Sequence, residues 1–159
     1  MKQDNLFIAS LGGFDLQLPI IKTGHDQPRV LVVNNIHGNE VTGFYVLERL
    51  LQIIPKETKG SLTIISSANP LGFLHKHRLL PLDYSDLNRG YPPPDKDRGI
   101  SVAVKNALMQ LGESHDYIID LHSFVRPSLS AGLVLPQSNN EQTVLLETCL
   151  RVLDVDITI

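Results

Sequence analysis

The stretch PRVLVVNNIHGNE, residues 28–40, joins an apolar run to a polar turn. The continuous apolar run from Val30 to Val33 is typical of a strand in a sheet covered on both faces. From Val41 onward apolar residues recur with helical spacing, and Pro55 ends that pattern. A buried strand, a polar turn and a helix in succession indicate an α/β fold with a parallel sheet.

The flanking segments continue this alternation. A hairpin is predicted around Gly12-Gly13, and residues 70–99, rich in proline, are predicted to be a long surface loop. A helix is expected to end at Gly112, and another near residues 139–151, with Ser138 and Glu141 as a capping box. Further strands are predicted at SLTIISSA, DYIIDLHS, GLVLP and VDITI. We therefore predict one domain over residues 1–159 with three layers, α/β/α, around a mostly parallel mixed central sheet.

Composition excludes several classes of function. The 159 residues carry a net charge of -3 without a basic cluster, which argues against nucleic acid or an anionic membrane as a partner. The single cysteine, Cys149, excludes a zinc site built on cysteine pairs. No signal peptide and no run of 18 apolar residues is recognisable, so we expect a soluble cytoplasmic protein.

Two predicted strands run into a histidine. Val30 to Ile36 leads to His37, with Glu40 three residues later, and Tyr117 to Leu121 leads to His122. The carboxyl ends of parallel strands meet at one sheet edge, where ligands gather in α/β proteins. Two imidazoles and a carboxylate form the ligand set of a catalytic zinc, whereas either histidine alone would more often be an ordinary polar residue.

Two further groups accompany this set. Asp120 lies two residues before His122 on the same strand face, so it could hydrogen-bond a ligand imidazole or merely cap a neighbouring loop. The segment DLNRGYP, residues 86–92, carries an Asn-Arg pair that suits a substrate carboxylate beside a metal. Taken alone, this segment would be an ordinary polar loop.

Five motifs occur in the order found in the zinc carboxypeptidase superfamily. They are HGNE at 37–40, ANPLGF at 68–73, Arg78, DLNRGYP at 86–92 and IDLHS at 119–123. The close spacing of the histidine motifs most resembles the succinylglutamate desuccinylase/aspartoacylase branch, over residues 30 to 136. The resemblance implies a zinc-carboxypeptidase-like fold and one Zn²⁺ held by His37, Glu40 and His122.

The same resemblance implies roles for four more residues. Arg78 would polarise the scissile carbonyl, and Asn88 and Arg89 would hold a substrate carboxylate. Asp86 would orient His37 as a supporting group. The implied activity is zinc-dependent hydrolysis of an amide bond in an N-acyl amino acid or a small peptide-like substrate with a free carboxylate.

The chain departs from the family pattern in two places. Asn34-Asn35 replaces the small residues expected before the histidine motif. The general-base glutamate expected well downstream of His122 is not identifiable, since Glu141 and Glu147 fall in a predicted helix. We therefore expect a chain truncated at its C-terminus or a degenerate member, weakly active at most, with the exposed C-terminal strand VDITI open to association.

The sequence is compatible with three functions. The first is the zinc-dependent hydrolase of N-acyl amino acids. The second is a zinc carboxypeptidase or a peptidoglycan-peptide amidase, because HGNE and the Asn-Arg pair occur across the superfamily. The third is a non-catalytic metal- or ligand-binding domain that lacks the general-base glutamate.

Overall fold

The structure is a computed structural model that describes residues 1–55, 59–94, 99–124, 129–135, 140–152 and 156–158. The chain divides into two compact units, residues 1–125 and 126–159. The expectation of a single domain stays a prediction. Among the described residues, no helix is long and apolar enough to cross a membrane.

The first unit contains a five-stranded sheet and three helices. The strands follow the order β1-β2-β4-β3-β5 across the sheet. The elements are β1 (Lys2–Leu11), β2 (Phe14–Gly24), β3 (Arg29–Asn34), α1 (Thr42–Ile53), β4 (Ser61–Ile65), α2 (Pro70–Leu74), α3 (Ile100–Glu113) and β5 (Tyr117–Leu121).

The sheet is mixed, as predicted. The N-terminal hairpin adds β1 and β2 antiparallel, whereas β3 pairs in parallel with both β4 and β5. Parallel strands are therefore confined to the half of the sheet that carries the histidine motifs.

The two faces of the sheet carry separate cores, because successive residues of a strand point to opposite sides. Leu31 and Val33 pack in a cluster with Val104 and Leu108 of α3. Val32 lies on the other face, in a cluster with Leu47 of α1. Helices thus cover both faces of the sheet, which gives the predicted three layers.

The predicted surface loop over residues 70–99 is only partly a loop. It contains α2, and Leu80 and Leu87 are fully buried in the core cluster that includes α3. The sequence did not predict this role, because the segment has no helical or strand period: Leu80 is fully buried, whereas Leu82, two residues later, is 50% exposed. The predicted helix stop is also displaced by one residue, since α3 includes Gly112 and ends at Glu113.

The strand β5 is not buried as its apolar sequence predicts. Ile118 and Ile119 are 54% and 42% exposed. The reason is position: β5 lies at the edge of the sheet, and β3 is its partner among the described residues.

The second unit contains β6 (Ala131–Gly132), α4 (Asn140–Val152) and β7 (Ile157–Thr158). Of the described residues 132–135 in the predicted strand GLVLP, only Gly132 lies in a strand; Pro136 and Ser138 lie outside the described residues. Of the predicted strand VDITI, Ile157–Thr158 forms β7, which pairs in parallel with β6 and so is not unpaired on that side. Association of this strand with another chain stays a prediction.

Arg29 and Asp116 join the beginnings of β3 and β5. The Arg29 backbone N–H donates to Asp116 Oδ2 at 2.7 Å, and its guanidinium donates to Oδ1 at 2.8 Å. Asp116 N–H donates in return to the Arg29 carbonyl at 2.8 Å. The side-chain and backbone hydrogen bonds from Arg29 lower the pKa of Asp116 to about 2.

This pair makes stability depend on pH in the acid range. The folded-state pKa lies below the ordinary value of 3.8, so the stabilisation is complete above 3.8 and is lost as the pH falls through about 2. We expect the unfolding free energy of Asp116→Asn, from urea denaturation at stepped pH, to fall less steeply across this window than that of wild type. Asp26→Asn serves as the control. If the unfolding free energy of Asp116→Asn fell with pH as steeply as that of wild type, the Arg29–Asp116 pair would not be the cause of the pH dependence.

Candidate metal centre

The turn of residues 37–40, called the HGNE turn below, lies beyond the carboxyl end of β3. The strand ends at Asn34, two residues earlier than predicted, and Asn34 is in register with Leu121 of β5. His122 follows β5 directly. Because the two strands are parallel neighbours, their ends bring His37, Glu40 and His122 to the same edge of the sheet, as the sequence predicts.

These three side chains face one another. His37 Nδ1 is 2.7 Å from Glu40 Oε1, and His122 Nδ1 is 3.1 Å from Glu40 Oε2. One ligand atom from each residue lies within 4.8 Å of the others, so the group could hold a metal ion. Within the part of the chain that the structure describes, it is the one such group of histidine, cysteine and acidic side chains. Two imidazole nitrogens and a carboxylate oxygen are donors that suit Zn²⁺, so the residues present fit this ion.

Each imidazole lies within hydrogen-bond distance of a second carboxylate, which belongs to an aspartate. His37 Nε2 lies 3.1 Å from Asp86 Oδ1, and His122 Nε2 lies 2.9 Å from Asp120 Oδ2. Each histidine therefore has its Nδ1 toward Glu40 and its Nε2 toward an aspartate. Such a carboxylate fixes the ring orientation and the tautomer that leaves the other nitrogen free to bind a metal. Of the two interpretations of Asp120, this geometry matches the hydrogen bond to an imidazole.

The charges around the histidines shift two pKa values. Burial raises the pKa of Asp86, but the Asn88 N–H, 2.8 Å from Oδ1, together with His37 and Arg78, outweighs this and holds it below the ordinary value. The hydrogen bond that His122 donates to Asp120 raises the pKa of His122, against the opposing effect of burial, and the charges of Asp120 and Glu40 add to it. The surroundings of His122 therefore favour positive charge at its imidazole, which is also what a bound cation would supply.

Arg78 reaches the same site from the segment after α2. Its Nη1 donates to Glu40 Oε1 at 3.1 Å, and its Nη2 is 3.9 Å from Asp86 Oδ2. The side chain is 46% exposed, so its guanidinium borders solvent and is accessible to a ligand. This places Arg78 beside the three candidate ligands.

Asn88 and Arg89 are placed differently from each other. A cavity of about 360 Å³ opens over the site and is lined by His37, Glu40, Arg78, Asn88, His122, Ser123 and Phe124. Arg89 is exposed and does not line this cavity; its Nη1 donates to the Asn88 carbonyl at 2.9 Å. Of the predicted Asn-Arg pair, the asparagine thus lines the cavity, whereas the arginine is not part of the lining.

Several contacts at the site have no signal in the sequence. The backbone N–H of Ser123 donates to Glu40 Oε2 at 2.8 Å, and any residue type at this position could supply it. Gly38 is needed for packing, since a Cβ there would lie 2.1 Å from the Gly72 carbonyl carbon of α2. Asn69 caps α2 by accepting from Gly72 N–H at 2.9 Å, and its Nδ2 lies 3.3 Å from the Ile36 carbonyl. The ANPLGF motif therefore packs against the HGNE turn at Gly38 and is hydrogen-bonded to the residue before it, Ile36.

Comparison with known proteins gives a family match. The model of the succinylglutamate desuccinylase/aspartoacylase catalytic domain matches residues 26–156. An N-alpha-acetyl-L-2,4-diaminobutyric acid deacetylase from Halomonas elongata is 25% identical over 117 residues, which are 72% of this chain and 34% of that protein.

Two solved structures share the fold. The first, an aspartoacylase family protein from Mesorhizobium loti, is 24% identical with a TM-score of 0.84, covering 99% of this chain and 52% of that one. The second is a succinylglutamate desuccinylase/aspartoacylase from Rhodobacter sphaeroides, 17% identical with a TM-score of 0.74, covering 92% of this chain and 48% of that one. The predicted fold is confirmed, and the chain spans about half the length of these two proteins.

Proposed function

Because the chain belongs to the succinylglutamate desuccinylase/aspartoacylase family, we propose that it carries the zinc site of a hydrolase that cleaves amide bonds. The proposed substrate is an N-acyl amino acid or a small peptide-like molecule with a free carboxylate. One observation carries the proposal: His37, Glu40 and His122 converge within 4.8 Å, with a cavity of about 360 Å³ above them.

Each residue has a proposed task. His37, Glu40 and His122 hold one Zn²⁺, and Asp86 and Asp120 keep the two imidazoles oriented through their Nε2 atoms. Zinc at this site would act as a Lewis acid and activate water at neutral pH. Arg78 supplies positive charge beside the scissile carbonyl, where negative charge develops during the reaction.

The remaining two residues bind the substrate carboxylate. Two observations support this: Asn88 lines the cavity, and the Arg89 guanidinium lies against the Asn88 carbonyl. An arginine can bind a carboxylate through two parallel hydrogen bonds, which fixes the orientation of the substrate as well as its charge.

One specific observation favours a second candidate, a non-catalytic metal- or ligand-binding domain. Among the described residues that line the cavity, Glu40 is the one carboxylate, and it already contacts both histidines and Arg78. No second glutamate stands among them to take a proton from water and return it to the leaving amine. Such a group typically contributes about 10²–10⁴-fold to the rate.

The test is amine release from N-acyl amino acids by protein loaded with zinc. We expect release that disappears with a chelator, is absent in His122→Ala and requires a free substrate carboxylate, as tested with carboxamide-capped analogues. Zinc binding without any release would favour the binding domain. Release at the same rate by His122→Ala would contradict both the hydrolase and its metal site.

A further inference from the structure

Asn35 lies buried directly beneath the HGNE turn. Its side chain is fully excluded from solvent, and its backbone has a positive φ of 59°. Asparagine is one of the few non-glycine residues that adopt this left-handed conformation readily. The chain therefore has a bulky, polar side chain at a position where a glycine would satisfy the backbone equally well.

The side-chain amide of Asn35 contacts three backbone carbonyls of the HGNE turn. Its Nδ2 lies 3.0 Å from the His37 carbonyl, 3.2 Å from the Gly38 carbonyl and 3.0 Å from the Glu40 carbonyl. A backbone carbonyl can only accept a hydrogen bond, so the nitrogen of the amide must be the atom that faces the turn. The backbone of both candidate ligands in the HGNE turn is thus held by one side chain.

Ser67 fixes the other end of this amide. The Ser67 hydroxyl donates to Asn35 Oδ1 at 2.8 Å, and Ser67 is itself 5% exposed, just beyond β4. The amide therefore connects the HGNE turn to the neighbouring strand of the sheet. Buried groups that are fully hydrogen-bonded in this way are held rigidly, since each lost bond leaves an unsatisfied polar group.

We propose that Asn35 is a positioning residue for the metal centre: through the three carbonyls it sets the placement of His37 and Glu40 before a metal binds. The inference rests on the proposed function, because it assumes that these two side chains are ligands. It assigns a role to a residue at which this chain departs from the small residue expected there. A preorganised pair of ligands binds a metal more tightly because less conformational freedom is lost on binding.

The test compares Asn35→Gly with a matched control, Asn34→Ala. Glycine at position 35 can keep the left-handed backbone conformation, but it removes the side-chain amide. Asn34 is the adjacent buried asparagine, and its Nδ2 donates to the Ser66 carbonyl at 2.9 Å instead of to the turn. Metal affinity is measured by competition with a chromophoric chelator, and the ligand geometry from the visible absorption of the Co²⁺ form.

We expect Asn35→Gly to weaken Zn²⁺ and Co²⁺ binding by about 10- to 100-fold, the range seen when supporting groups of metal ligands are lost. Its Co²⁺ spectrum should change in intensity, whereas Asn34→Ala should keep wild-type affinity and spectrum. Ser67→Ala removes only the bond that orients the amide and should weaken binding by about 5-fold, the equivalent of one hydrogen bond. This milder variant decides the question if Asn35→Gly does not fold.

Wild-type affinity and spectrum in Ser67→Ala and in any folded Asn35→Gly protein would overturn the proposal while leaving the metal site intact. An equal loss of affinity in Asn34→Ala would also overturn it, since the effect would then follow from lost stability. Failure of the wild-type protein to bind either metal would instead refute the proposed function on which the inference rests.

Discussion

We expect His122→Ala to lower zinc affinity by more than about 100-fold, because it removes one of three ligands. Loss of a residue that only supports a ligand typically lowers the affinity by about 10- to 100-fold. His122 is the most informative ligand to remove. Its side chain is 35% exposed, whereas His37 is 2% exposed and separates the carboxylates of Glu40 and Asp86. Removing His37 would leave buried charge without its partner and destabilise the fold as well.

The measurement is elemental analysis of protein purified without chelator, followed by zinc titration of the metal-free form. Wild type should carry about one equivalent of zinc, which the folded protein releases as its ligands are protonated. His25→Ala is the control, because His25 is a histidine in a polar turn with a side chain that is 90% exposed. Full zinc occupancy in His122→Ala would show that the metal is held elsewhere.

The second large effect is expected at Arg78. Arg78→Ala should lower kcat on the order of 100-fold or more, as loss of a group that stabilises an oxyanion does. The structural reason is that Nη1 of Arg78 lies 3.1 Å from Glu40 Oε1, so the guanidinium borders the site at which the carbonyl would be polarised. Single-turnover assays with excess zinc-loaded protein measure this step directly.

Arg89→Ala should behave differently, because Arg89 is not among the residues that line the cavity and contacts the Asn88 carbonyl. We expect KM to rise about 10-fold for substrates with a free carboxylate, the equivalent of one charge-assisted hydrogen bond, with kcat unchanged. Carboxamide-capped substrates should be unaffected by this change. Arg49→Ala, on the exposed side of α1, serves as the control for loss of positive charge. The same kinetic profile in Arg78→Ala and Arg89→Ala would contradict the division of roles.

The convergence of the candidate ligands could be predicted from the sequence because it depends only on topology. Two apolar strands that end in histidines, placed in parallel, must bring those histidines to one edge. The parallel pairing of β3 with β5 fulfils this condition. The position of Arg78 could not be derived in this way, because it lies on an irregular segment; only the resemblance to a family indicated it.

The contacts that hold the candidate ligands in place could not be predicted, because the residues that make them show no motif or period in the sequence. The bond from Ser123 N–H to Glu40 is made by the backbone, and Asn35 contacts three carbonyls from a backbone with a positive φ, which the sequence does not reveal. Leu80 is buried in the core although Leu82, two residues later, is 50% exposed, and no period in the sequence distinguishes them. Edge exposure of Ile118 depends on strand order, which local sequence does not encode.

The proposed zinc site is tested most directly by a crystal structure of the zinc-loaded protein with anomalous diffraction measured at the zinc absorption edge. We expect one strong anomalous peak per chain, about 2.0–2.1 Å from an imidazole nitrogen of His37 and of His122, and in contact with a carboxylate oxygen of Glu40. A peak bound to other residues, or no peak at these three in protein that retains zinc in solution, would contradict the proposed site.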